Sequence, residues 1–245
     1  MPTTPSNLPA LILAAGRGAR LRPLTDACAK PLLTVAGRPM IEWHLLALAA
    51  AGVRQVVINT AWLETQFPAT LGDGQRFGLT ILYSHEGRDH GGALETAGGI
   101  AKALPQLGDC FWLVSGDIVA PGFAFDAAMA QRFAQGDDDA HLWLVPNPDF
   151  HAAGDFALDA SGRVRRPPAG APRPLTYANL ALVRHSLVAG IAAGQHAPLG
   201  PCLFRSAEAG RLGGSLLAGA WHNVGTPAQL GAVNNLLQAS AFGSA

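Results

Sequence analysis

The run Leu11-Ile12-Leu13-Ala14-Ala15-Gly16-Arg17-Gly18-Ala19-Arg20-Leu21-Arg22-Pro23-Leu24-Thr25-Asp26-Ala27-Cys28-Ala29-Lys30-Pro31 decides how this chain is read. Its apolar head, Leu11 to Ala15, predicts a buried parallel strand. The strand stops at Gly16 and Gly18, where the backbone turns tightly and exposes its N–H groups. Three fixed cations follow, Arg20, Arg22 and Lys30, on a loop stiffened by Pro23 and Pro31. Backbone donors beside fixed cations suit a polyphosphate. Two familiar phosphate loops are excluded. A dinucleotide fingerprint needs a third glycine where Leu21 stands, and a P-loop needs Gly-Lys followed by Ser or Thr.

Outward from this stretch, strands and helices alternate. Met40 to Ala51 predicts a helix closed by Gly52, Val53 to Asn59 a second strand, Leu63 to Leu71 a short helix and Leu79 to Tyr83 a third strand. A helix from about Ala93 to Leu104 contains Gly98 and Gly99, an unfavourable placement unless something approaches the backbone closely, and a ligand is the expected neighbour. Phe111 to Ser115 predicts a strand ending at Gly116-Asp117. A helix around Phe123 to Gln135 and a strand at His141 to Val145 follow.

This alternation predicts an α/β fold, a Rossmann-like and mostly parallel sheet sandwiched by helices, with ligands at the carboxyl ends of the strands. Gly16, Asn59 and Asp117 all fall there. From about Pro146 the texture changes: Phe156 to Asp159 and Arg163 to Arg165 flank a hairpin turn, and Tyr177 to Val183 is a further strand, a small, partly antiparallel lid. Residues 1–9 read as a loose tail and 10–240 as one domain, its halves dividing near residue 145.

Seventeen basic residues balance seventeen acidic ones among 245, so no global field recruits nucleic acid or an anionic membrane. Cys28, Cys110 and Cys202 are odd in number and widely spaced, which argues against a disulfide framework and for the cytoplasm. The first residues lack the pattern of a signal peptide, and no apolar run reaches membrane-spanning length. Asp137-Asp138-Asp139 reads as a solvated turn rather than a metal site, and His44, His85, His90 and His222 as surface or packing residues.

The opening run resembles the signature of sugar-1-phosphate nucleotidylyltransferases, L-A-A-G-x-G-x-R-x-x-P-x-T-x-x-x-P-K-P. It is matched at Leu13 to Gly16, Gly18, Arg20, Pro23, Thr25, Lys30 and Pro31, with Ala29 where the family has proline. Val57 to Leu63, Leu94 to Ile100 and Trp221 to Leu230 are similar to the branch that makes UDP-N-acetylmuramic acid during cell-wall recycling. The resemblance implies the nucleotide-diphospho-sugar transferase fold and transfer of UMP from UTP to a sugar 1-phosphate. Thymidylyl or guanylyl transfer to a hexose phosphate, and a catalytically silent nucleotide-sugar sensor, are the alternatives.

By the same resemblance Arg20 grips the triphosphate, Lys30 reaches the α-phosphate, and Asp117 holds Mg²⁺ together with Asn223, an uncharged residue where much of the family has aspartate. Arg22 is either a further phosphate contact or a surface charge. Ala14, Ala15, Gly16, Gly18 and Gly98 are expected to cradle the nucleotide. Glu86 or Glu95 is expected to accept the uracil N3–H, although Glu86 to Leu94 is longer than the family's usual turn. Asn59, Gly154-Asp155-Phe156, Tyr177 and Asn179 fall on the sugar side, where Tyr177 either meets the ring or packs in the sheet.

Overall fold

The computed structural model describes residues 7–242. Its centre is a seven-stranded sheet of β1 (Ala10–Leu13), β2 (Gln55–Thr60), β3 (Thr80–His85), β4 (Cys110–Ser115), β5 (Ala140–Pro146), β6 (Leu175–Arg184) and β7 (Leu212–Leu216), in the order β7-β5-β6-β4-β1-β2-β3. β1 pairs in parallel with both β2 and β4, and β2 with β3, whereas β6 runs antiparallel to β4 and β5. The expected mostly parallel sheet is therefore present, with a single reversed strand.

Both faces of the sheet are covered, which explains why β4 is apolar without alternation. Trp112 and Val114 pack into one core with Ile41, Leu45 and Leu48 of the helix Met40–Ala50. Phe111 and Leu113 pack into the other with Ile100 of the helix Glu95–Ala103 and Leu203 of the helix Gly200–Glu208. From β1 the chain steps to β2 and β3 on one side and then returns to β4 on the other. The carboxyl ends of β1 and β4 thus flank the switch point where ligands bind in such sheets.

Element boundaries shift for local reasons. The helix expected from Leu63 begins only at Gln66, because Leu63 takes a left-handed conformation (φ 50°). The helix expected from about Ala93 likewise begins only at Glu95, which adopts φ 62°. The expected hairpin forms, pairing Ala157–Leu158 with Val164–Arg165. β7 and the helix Gly200–Glu208 had no clear signal, since Gly213-Gly214 dilutes the strand pattern. Of the expected tail, residues 1–6 lie outside the described residues. Asn7 is held: its amide donates to the Phe125 carbonyl at 2.8 Å and its Oδ1 accepts from the Trp112 indole at 3.0 Å.

The acidic run is no solvated turn. Asp137 is exposed, but Asp138 pairs with Arg163, and Asp139 is 4% exposed while accepting from Ser186 Oγ (2.6 Å), Ser206 Oγ (2.8 Å) and Arg211 Nε (2.9 Å). Burial alone would raise the Asp139 pKa, but these three donors outweigh it and hold the carboxyl below its usual range. Its stabilisation is then complete above the unfolded carboxyl pKa, near ~3.9, and is lost as pH falls through the lower folded value. Asp139→Ala should cost about 2–3 kcal/mol and lower Tm by roughly 4–12 °C at pH 7. Calorimetric melting should show that difference shrinking below pH ~4.

Candidate active site

β1 delivers Ala14, Ala15 and Gly16 to the switch point, and the loop beyond it folds back on itself. Thr25 Oγ1 donates to the Gly18 carbonyl (2.9 Å), while Gln66 accepts from Ala29 N–H (2.9 Å) and donates to the Ala27 carbonyl (2.8 Å). So braced, the one-turn helix Lys30–Leu32 aims Lys30 inward, 7% exposed, with Nζ 2.7 Å from Asp117 Oδ2. Asp117 follows β4. It is fixed by a ribbon in which Ile118–Val119 pairs with His222–Asn223, and its carbonyl accepts from Val224 N–H at 2.9 Å.

His44 supports that ribbon from below, donating through Nε2 to the Ile118 carbonyl at 2.8 Å. Burial pushes its pKa down to about 4, so the ring is neutral at physiological pH. It is the buried packing residue expected. The ribbon brings Asn223 beside the Asp117–Ile118 step. Arg20 reaches the chain just beyond that ribbon, its guanidinium against Gly225, where an added Cβ would lie 3.2 Å from Nη2. Arg22 does not join them; it pairs with Asp26 at the surface.

A cavity of about 290 Å³ opens here, lined by Ala14, Ala15, Gly16, Lys30, Asn59 and Asp117 among others. Its wall is a buried hydrogen-bond chain. Ala14 N–H donates to Asn59 Oδ1 (2.7 Å), Asn59 Nδ2 donates to Glu86 Oε1 (2.7 Å), and Glu86 Oε2 accepts from Leu94 N–H (2.8 Å). Burial raises the Glu86 pKa against the pull of its two hydrogen bonds, and the residue has no exposed surface. Asn59 and Glu86, expected to meet sugar and base, thus spend their polar atoms on each other and on the backbone. Both nevertheless line the cavity, as does Glu95, which is exposed.

The helix glycines answer to the protein rather than to a ligand. A Cβ on Gly99 would sit 2.6 Å from Glu86 Oε1 and 2.7 Å from Asn59 Nδ2. On Gly98 it would meet the Gln195 carbonyl at 2.2 Å, and Gly98 does not line the cavity. Gly154 is corrected likewise: the Arg173 carbonyl fills the space over it, 2.0 Å from where a Cβ would lie.

A second cavity of about 300 Å³ adjoins the first, and Leu13, Glu95, Thr96 and Ser115 line both. Asp155, Tyr177 and Asn179 form its far side, as expected. β6 bulges between Tyr177 and Ala181, Asn179 takes φ 60°, and Trp221 Nε1 fastens the bulge through the Ala178 carbonyl at 2.8 Å. Asp155 holds both His151 (2.8 Å) and Tyr177 N–H (2.9 Å). Thr96 and Ser115, at the junction, lie inside stretches the sequence singles out, but which of those side chains face a cavity depends on how the strands and the helix Glu95–Ala103 pack.

The model of the nucleotidyl transferase family matches residues 9–166. The chain belongs to that family. Nucleotidyl transferases similar to it over nearly their whole length include the N-acetylmuramate α-1-phosphate uridylyltransferase of Neisseria meningitidis serogroup B, 45% identical over 90% of this chain and 94% of the relative. The enzyme of that name from Caulobacter vibrioides is 35% identical over 94% and 97%. A mannose-1-phosphate guanylyltransferase of Mycobacterium tuberculosis is 36% identical over 63% of this chain and 42% of its own. A Bacillus anthracis crystal structure titled as a glucose-1-phosphate thymidylyltransferase in complex with sucrose shares the fold, with a TM-score of 0.79 at 21% identity over 94% of each chain.

In this nucleotidyl transferase, Gly99→Ala drives a methyl group into the Asn59–Glu86 pair. The substitution should cost about 1–3 kcal/mol and weaken triphosphate binding, because Asn59 also orders Ala14. Gly16→Ala meets nothing within 4 Å and should leave Tm unchanged. Melting curves and triphosphate titrations of both variants check the contrast.

Proposed function

We propose that this nucleotidyl transferase moves UMP from UTP onto N-acetylmuramic acid α-1-phosphate, releasing pyrophosphate, in the cytoplasm and in the service of cell-wall recycling. The observation that carries the chemistry is the pair of adjoining cavities, one walled by Lys30 and Asp117 and the other by Asp155, Tyr177 and Asn179. The whole-length similarity to the meningococcal uridylyltransferase supports the choice of substrates.

The sugar phosphate is already a dianion near neutral pH, its second proton leaving around pH ~6, so no general base is required. One of its oxygens attacks the α-phosphorus of UTP, the bond to the β-phosphate bridging oxygen breaks, and pyrophosphate carries the released charge away. What the protein must supply is alignment and charge neutralisation. The backbone at Ala14 to Gly18 cradles the phosphates, Lys30 neutralises charge at the α-phosphate, and Arg20 holds the departing end. Glu95, exposed at the junction, contacts the nucleotide where it meets the sugar, and Asn179 and Tyr177 face the ring.

A divalent cation fits the remaining oxygen donors. Asp117 Oδ1 has no hydrogen-bond partner among the described residues, and the Asn223 carboxamide stands on the paired strand. An all-oxygen set suits Mg²⁺, which would neutralise triphosphate charge when bound. Because Lys30 already balances Asp117 and Asn223 is uncharged, the ion should arrive with the triphosphate.

Pyrophosphate release measured across a panel of nucleoside triphosphates and sugar 1-phosphates tests the assignment. UTP with N-acetylmuramic acid 1-phosphate should give the highest kcat/KM; a higher value for another pair would reassign the substrates, and no release with any pair would leave a silent sensor. Lys30→Ala should lower kcat by about a hundredfold or more with little change in UTP affinity, since its charge acts on the transition state. Asn223→Asp should tighten Mg²⁺ binding to the nucleotide-free protein in calorimetric titration, while the natural chain binds Mg²⁺ weakly without nucleotide.

A further inference from the structure

The chain between β6 and the helix Gly200–Glu208 crosses the start of the helix Glu95–Ala103 and ends on the second cavity, where Pro198, Leu199 and Gly200 form part of the wall. Their place is set one residue earlier. The first turn of a helix leaves N–H groups without partners inside it. Here Ala97 N–H and Gly98 N–H both donate to the Ala197 carbonyl, at 2.9 and 3.1 Å, and Ala197 N–H donates in return to the Leu94 carbonyl at 3.1 Å.

That seat exists because residue 98 has no side chain. A Cβ on Gly98 would lie 2.2 Å from the Gln195 carbonyl, 3.0 Å from Leu94 Cβ and 3.3 Å from Ala197 N. The nearest of these is backbone, which cannot swing aside as the end of a side chain does, so the crossing chain itself has to lift. The same loop is held twice more. Ala192 N–H donates to Gln195 Oε1 at 3.1 Å, and Gly194, at φ 88°, lies against the His90 ring, where an added Cβ would come within 2.6 Å of Cε1.

The neighbouring glycine serves the other cavity. Gly99 opens onto Asn59 and Glu86, which line the nucleotide space. Leu94 joins the two walls, its N–H donating to Glu86 Oε2 and its carbonyl accepting from Ala197 N–H. Between the walls stand Glu95 and Thr96, which line both cavities. Glu95 is at φ 62°, a conformation that a residue other than glycine keeps only when its surroundings impose it.

We propose that Gly98 is a positioning residue for the sugar 1-phosphate: it seats the Gln195–Ala197 backbone and so fixes Pro198 and Leu199 as the sugar wall, while Gly99 keeps space for the nucleotide wall. Adjacent positions of one helix thus serve different substrates. The inference rests on the reading of the second cavity as the sugar site. Gly98 lines neither cavity, so its effect passes through the loop, and a methyl group there displaces the sugar wall while Lys30, Asp117 and the Asn59–Glu86 pair stay in place.

Steady-state kinetics with UTP, N-acetylmuramic acid α-1-phosphate and Mg²⁺, beside calorimetric titration of UTP, test this on the natural protein, Gly98→Ala and Gly99→Ala. Gly98→Ala should raise the KM for the sugar 1-phosphate by about tenfold, and by at least about three times the factor by which it raises the UTP Kd. Gly99→Ala should show the opposite split. A merely structural role lowers Tm and weakens both substrates alike. If Gly98→Ala gives a ratio below three, Gly98 does not position the sugar, although the enzyme assignment stands. Should Gly98→Ala fail to fold, Gly194→Ala, which strains only the surface loop at its His90 contact, decides by the same ratio. A natural protein that turns over UTP with no sugar 1-phosphate would overturn both the inference and the reading beneath it.

Discussion

The site depends on one buried hydrogen-bond chain, from the Ala14 N–H through the Asn59 carboxamide and the Glu86 carboxylate to the Leu94 N–H. A fully buried carboxylate is costly unless its oxygens are satisfied. The two donors that satisfy it belong to the end of β2 and to the residue before the helix Glu95–Ala103. Meeting that need clamps three segments distant in sequence to one another. Gly99 is part of the same constraint, since any side chain there would occupy the space of the Asn59–Glu86 contact. The glycine loop is thereby held from behind by side chains that also form the cavity wall.

From that clamp the rest of the geometry follows. β1 and β4 lie side by side at the switch point, so the loop after one and the carboxylate after the other face a common space. Lys30 and Asp117 meet across it, and the Ile118–Val119 ribbon brings Asn223 and Gly225 to the same end. The reversed strand β6 and its bulge then bring Tyr177 and Asn179 toward Ser115 and Thr96. Two ligand spaces therefore share one wall, the arrangement required for direct transfer of a nucleotidyl group between phosphates. A protein nucleophile has no task in such a scheme.

Much of this was legible in the sequence, because the strongest signals are local. The Leu11 to Lys30 run announced the strand, the turn and the cations, and Ser115-Gly116-Asp117 announced the carboxylate after a buried strand. The parallel sheet followed from alternation alone. Long-range pairing was not legible: nothing near Asp139 says that Ser186, Ser206 and Arg211 will surround it, so a buried network read as a turn. Gly98 and Gly154 signalled close approach correctly, but the approaching groups are the Gln195 and Arg173 carbonyls. Glu86 lines the cavity, but the sequence gives no sign that its oxygens are already bonded to Asn59 and Leu94 N–H, nor that Arg17 stacks on the Trp62 ring.

The central claim is that a sugar phosphate in one cavity attacks the nucleotide in the other in a single displacement. The stereochemistry at the α-phosphorus tests it most directly. With UTP made chiral there by one sulfur and an N-acetylmuramic acid 1-phosphate acceptor, phosphorus NMR of the UDP-sugar product should show inversion of configuration. Retention would mean two displacements through a covalent enzyme intermediate, and would contradict the account.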